Sequence, residues 1–116
     1  MQENPNPRFQ VLELSILAIE KLRAVVARIR QHDRDLGEQI RSALSSVALN
    51  IGEGSRSQGG HRIARFSTAA GSSGEVRTAL RVAVAWRYVE TSDIEAGDVV
   101  LDRIGAMLYR LGARHR

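Results

Sequence analysis

No cysteine occurs in this chain, which excludes disulfides and thiolate metal sites. That composition suits a reducing compartment, and the expectation is a cytoplasmic protein. Lysine is nearly absent too: Lys21 stands alone beside sixteen arginines. The only prolines, Pro5 and Pro7, fall at the start, so residues 1–7 read as a disordered lead-in. This start has neither the basic region nor the apolar stretch of a secretion signal. No run approaches the ~18 apolar residues that a membrane span needs, so no membrane partner is expected. Aromatics number five, too few for a broad surface of base-reading rings.

What the chain does contain is helical periodicity and arginine. Its 116 residues fit one domain, residues 8–116, with enough length to bury a core. The net charge of +4 is unevenly spread. Residues 21–34 carry five bases against Asp33, and residues 54–90 carry six arginines against Glu75 and Glu90. Arginine forks to phosphate or carboxylate, so the two basic blocks point first to nucleic acid. The plainer alternative is that they solvate helix faces and pair with neighbouring acids.

Four helices are predicted, over about 8–31, 35–53, 60–90 and 93–112. In the first, Phe9, Leu12, Ile16, Ile19, Leu22, Val26 and Ile29 recur at helical spacing. Val11, Leu14, Leu17, Ala18 and Val25 make a second apolar face. Two such faces imply a helix deep in a bundle or one also covered by another subunit. Asp33 or Asp35 caps the second helix, whose stripe is Leu36, Ile40, Ala43, Leu44, Val47 and Ile51. A glycine-rich turn follows. The third helix runs through Ala69-Ala70-Gly71-Ser72-Ser73-Gly74. Its two interior glycines each cost roughly 1 kcal/mol against alanine, which a close approach of another backbone would explain. Ser92 and Glu95 have capping-box spacing at the fourth helix. Nothing alternates with period two, and short connections imply an all-α, antiparallel up-down-up-down four-helix bundle.

Asn50 and Glu53 flank the inner stripe of the second helix, and Ser72 and Glu75 flank that of the third. They are expected to form a structural polar network that fixes helix register. The rival reading, a carboxylate pair for acid–base work or metal, lacks a histidine or aspartate at ligand spacing. No metal, cofactor or catalytic residue is assigned.

Arg56, Arg62 and Arg65 surround the glycine-rich turn, where the first amides of the third helix point outward. Amides and arginines together suit an anion. Arg77 and Arg81 are like charges one turn apart, which invites a phosphate or an acid from another helix or subunit. These five arginines are the nucleic-acid-binding candidates. Tyr88 could stack on a base. Trp86 and Tyr109, however, are expected in the core, which argues against an aromatic base-reading platform. Arg56-x4-His61 and Arg110-x4-His115 satisfy the loose Arg–His spacing of HEPN-type helical ribonucleases. Two matches in so arginine-rich a chain show how little that spacing means, so no enzyme activity is expected.

Ser46-Val47-Ala48-Leu49-Asn50-Ile51-Gly52-Glu53-Gly54, with Arg65-Phe66 and Ala70-Gly71-Ser72-Ser73-Gly74-Glu75, resembles a known pattern. It belongs to proteins encoded in intervening sequences of bacterial 23S ribosomal RNA genes. Asn50, Glu53, Gly54, Phe66, Gly71, Ser72 and Glu75 match, while Gly52, Ser67 and Gly74 depart from it. The resemblance implies a four-helix protomer in a ring-like homo-oligomer, commonly a pentamer, without enzyme activity. Through distant relatives it also implies RNA and protein partners met by a basic surface. The family's name records where its genes sit and does not make ribosomal RNA the ligand.

Overall fold

Asn6 opens the first helix: its side-chain oxygen accepts the Arg8 amide at 2.9 Å, and Pro7 takes the first helical position. That arrangement satisfies an orphan amide and uses a residue with none to lose. Asn6 and Pro7 thus belong to the helix and its cap and not to the expected lead-in. Residues 1–5 of that lead-in lie outside residues 6–114, which the computed structural model describes. Four helices follow in chain order. They are α1 (Pro7–His32), α2 (Arg34–Ser55), α3 (Gly59–Ala85) and α4 (Thr91–Arg110). Each packs on the next, and α4 returns to α1, an arrangement consistent with a helical bundle. Among the described residues every regular element is a helix, and none is long and apolar enough to cross a membrane.

One residue, Asp33, joins α1 to α2. Its amide closes α1 on the Ile29 carbonyl at 2.8 Å, and its carboxylate caps α2 through the Leu36 amide at 3.0 Å. So short a link presses the helices together. A Cβ on Gly37 would sit 2.7 Å from the Arg30 Cα. The same device recurs elsewhere: a Cβ on Gly54 would meet the Phe66 ring at 2.6 Å, and one on Gly97 would meet Leu22 at 2.3 Å. Glycine is therefore required at these contacts for steric reasons.

The small segment of α3 behaves differently from expectation. It is continuous helix, yet a Cβ on Gly71 or Gly74 would find nothing within 4 Å. A neighbouring backbone comes close at Gly37 and neighbouring side chains at Gly54 and Gly97, whereas the α3 glycines Gly71 and Gly74 face open space within the protomer.

The core is mainly aliphatic and includes Leu22, Ile29, Ile40, Ile51, Leu80, Leu101, Ile104 and Leu108, with Phe66 its one fully buried ring. In α1 the buried line begins Val11, Ser15, Ala18, Leu22, so Phe9 and Ile16 of the expected stripe are exposed. Ser15 and Ser73 are buried but satisfied, by the carbonyls of Leu12 at 2.6 Å and Leu101 at 3.2 Å.

Two boundaries differ from the predicted ones. α3 stops at Ala85, five residues before the predicted end at 90. The Tyr88 amide bonds the Ala83 carbonyl at 3.0 Å and the Arg87 amide bonds that of Val84 at 2.9 Å. This is the Schellman pattern, with Arg87 at φ 62° where glycine is usual. No glycine announces the stop. At α4 the cap is Glu90, whose amide donates to the Asp93 carboxylate at 2.8 Å, so the reciprocal pair is Glu90–Asp93 and not Ser92–Glu95.

Candidate nucleic-acid interface

Ser46 and Ser72 hydroxyls meet at 2.9 Å between α2 and α3. Asn50 turns its amide group back onto Ser46, bonding the carbonyl at 2.9 Å and the hydroxyl at 3.1 Å. The Asn50 oxygen is left facing Arg65 at 3.5 Å. The structure thus brings together Asn50, Ser46, Ser72 and Arg65. Glu53 is engaged within its own turn by Arg56 at 2.8 Å, and Glu75 lies exposed on α3 with no ion pair among the described residues. Among the described residues no three or more histidine, cysteine, aspartate or glutamate side chains gather as metal ligands.

The five candidate arginines occupy unlike environments. Arg77 clamps α3 to α4, reaching Asp98 at 2.9 Å and Asp102 at 2.9 Å. The hydrogen bond to Asp98 raises its guanidinium above the ordinary arginine value, against a smaller opposing effect of burial. Asp98 and Asp102 are one helical turn apart, so both face the same fork. Arg81, one turn along from Arg77, is exposed and lines an open groove of about 370 Å³ between α3 and α4. It has no ion pair among the described residues. Arg62 folds onto the Ser57 carbonyl at 2.7 Å and braces the α2–α3 turn. Arg56 and Arg65 are exposed beside it.

Chain return adds arginines to this turn that sequence spacing did not single out. The Arg114 amide bonds the Ser67 hydroxyl at 2.9 Å, and Gly112 lies against Ile63. The end of α4 therefore sits on the start of α3, bringing Arg110 and Arg114 to the same end as Arg56, Arg62 and Arg65. On the other side Leu22 pairs with Gly97. Fourteen residues back from Leu22, roughly 20 Å at ~1.5 Å per residue, Arg8 reaches the level of Arg110. Glu53, answered by Arg56, is the acid of the α2–α3 turn. His61 is exposed at the start of α3, while His115 lies outside the described residues.

The opposite end is electrically mixed. Asp93 accepts from the Glu90 amide and from Arg28, and these hold its carboxyl below the usual range. Arg30 pairs with Glu38 at 2.8 Å. Trp86 and Tyr109, expected in the core, are 67% and 59% exposed. Trp86 is the C-cap of α3 and keeps helical backbone angles, φ −76° and ψ −6°, but it stands at the end of the bundle, where its ring reaches solvent.

Comparison with curated proteins and with solved structures finds no significant match. A family model does match, over residues 8–110, which takes in all four helices and both glycine-containing motifs. The chain belongs to the 23S rRNA-intervening sequence protein family.

Proposed function

We propose that this protein is a non-enzymatic, homo-oligomeric, up-down-up-down helical bundle that binds nucleic acid, RNA in the first instance, through its arginine-rich end. The observation carrying this reading is the convergence of Arg56, Arg62 and Arg65 with Arg110 and Arg114, brought together by the return of α4. Phosphate is the ligand such a cluster suits, because several guanidinium forks lie beside the open first turn of α3. The name of the family agrees with an RNA context.

Assembly is supported by what the protomer leaves uncovered. Leu49 on α2 is 72% exposed and Val99 on α4 is 69% exposed. α2 and α4 are not packed neighbours, so these residues lie on different sides of the molecule. Two distinct apolar positions suit head-to-tail contacts, which close into rings such as a pentamer. The open glycines of α3 would let a neighbouring backbone come close. The second reading, a protein-interaction scaffold without direct nucleic-acid binding, draws on the same exposed apolar residues.

Mass by light scattering, with and without a short single-stranded RNA, tests both parts. The expected result is a multiple of the protomer mass that rises further with RNA. An oligomer whose mass ignores RNA would favour the scaffold, and a lone protomer would remove the ring. RNA left intact after long incubation is expected, and its cleavage would overturn the non-enzymatic reading.

A further inference from the structure

Three aromatic rings gather at the end of the molecule opposite the arginine cluster. Tyr88 is the shared member: its ring lies 5.3 Å from that of His32 at an interplanar angle of 8°, and 6.5 Å from that of Trp86 at 18°. Both spacings are those of offset stacking. Tyr88 is half-buried and held in place. Its hydroxyl donates to Asp33 at 3.4 Å, and Asp33 is itself fixed as the cap of α2. His32 and Trp86 are exposed, and Trp86 offers 67% of its surface to solvent. A large, flat, preorganised ring therefore stands on a rigid corner where three helices end or begin.

Arg87 is the second, independent observation. It sits between Trp86 and Tyr88 in the chain, exposed, with no ion pair among the described residues. Its φ of 62° is a backbone state that glycine adopts freely and arginine does not. A strained arginine where glycine would serve the turn better points to a use for its side chain. Two acids of this end are already answered, Asp33 by Tyr88 and the Leu36 amide, Asp93 by Arg28 and the Glu90 amide.

We propose that Trp86, backed by Tyr88 and His32, is a stacking platform for an unpaired nucleobase, with Arg87 as the contact for that nucleotide's phosphate. The proposal rests on the nucleic-acid reading above and sharpens it. A base inside a duplex keeps both its faces covered by neighbours, so the platform selects single strands or splayed loops. The arginine end would attract any phosphate backbone; the aromatic end would decide which strands stay. The two lie at opposite ends of α3, so a strand lying along the protomer can engage both.

Trp86 is the only tryptophan in the chain, so its emission reports this site alone. The full-length protein is titrated with end-labelled oligouridylate, oligoadenylate and a duplex RNA of equal length, following label anisotropy and Trp86 emission together. Saturable quenching in step with anisotropy is expected for the single strands and not for the duplex. Trp86→Ala should weaken single-strand binding roughly tenfold and leave duplex binding unchanged. Trp86→Phe should recover most of the loss. Arg87→Gly should weaken binding while raising Tm, a combination that a purely structural arginine would not give. Anisotropy that rises while emission stays constant would overturn the platform and leave the arginine end standing. Absence of any anisotropy change, even at low salt, would instead remove the nucleic-acid reading. Emission that shifts to the blue with protein concentration alone would put a second copy on Trp86 and overturn the platform as well.

Discussion

At the arginine end, Phe66 is wholly buried against the backbone of Gly54; at the other, Trp86 is two-thirds exposed beside a strained Arg87. The first aromatic holds two helices together, and the second contributes little packing to its own protomer. Their surroundings differ in charge as well. The Phe66 end collects Arg56, Arg62, Arg65, Arg110 and Arg114, whereas the Trp86 end pairs Arg28 with Asp93 and Arg30 with Glu38. One end is thus built from packing and offers a cluster of positive charge; the other has Arg28 and Arg30 paired and offers a ring beside Arg87.

Substitutions can break this contrast at each point. The largest effect on stability is expected from Phe66→Ala, which opens a cavity under Gly54 and should cost about 3–5 kcal/mol in denaturant unfolding. Trp86→Ala should change stability by no more than about 0.5 kcal/mol. Equal costs would refute the difference in burial. Next comes the clamp. Arg77→Met leaves Asp98 and Asp102 without their fork, and a loss of about 1 kcal/mol is expected, reduced by the partial exposure of the pair. Arg81→Met should be neutral in the same unfolding measurement, so Arg81 is the one of the two whose removal can be read as lost binding.

A smaller effect concerns pH. Asp93 is held below the usual carboxylate range by the Glu90 amide first and by Arg28. A carboxyl whose folded value is depressed stabilises fully above its unfolded value, and that contribution is lost as pH falls through the folded one. Asp93→Asn should therefore lower Tm at pH 7, and the gap from the parent should close on acidification below about pH 4. A gap that widened in acid would contradict the assignment. The smallest expected effect is Gly71→Ala. With nothing within 4 Å of the new Cβ, it should stabilise an isolated protomer by up to about 1 kcal/mol. If the open glycines receive a neighbouring copy, the same change should weaken assembly while the protomer gains stability.

Helical periodicity carried most of the fold. α1 and α2 begin and end within two residues of the predicted bounds, because their caps, Asn6 and Asp33, are residue types that cap helices, and α3 starts at the glycines that mark the turn. The end of α3 was illegible because its turn places arginine where glycine is the usual signal. Trp86 stands in helical phase at that stop, so periodicity alone did not show that its ring is exposed at the end of the bundle. Within the protomer nothing approaches Gly71, and spacing alone could not show that. Spacing along one helix shows that a position is small, but only the packed neighbour shows whether anything approaches it; Gly54, Gly97 and Gly37 have that neighbour. The site divides in the same way. Arg56, Arg62 and Arg65 were visible as a cluster around one turn, whereas Arg110 and Arg114 join them only through the contact of α4 with Ser67 and Ile63. The partners of Arg77 had a readable signal, two aspartates at i, i+4 on the next helix.

The central claim is that the arginine end binds a phosphate backbone, and salt dependence tests it most directly. Affinity for an unstructured single-stranded RNA is measured by anisotropy across a range of salt concentrations, for the parent and for Arg56→Gln/Arg65→Gln/Arg110→Gln. These three are exposed, so the fold should survive their loss. The account predicts a linear fall of log K with log salt, and a slope in the triple variant shallower by about 0.7 for each phosphate contact removed. Binding that is absent at low salt, or a slope that the three substitutions leave unchanged, would contradict it.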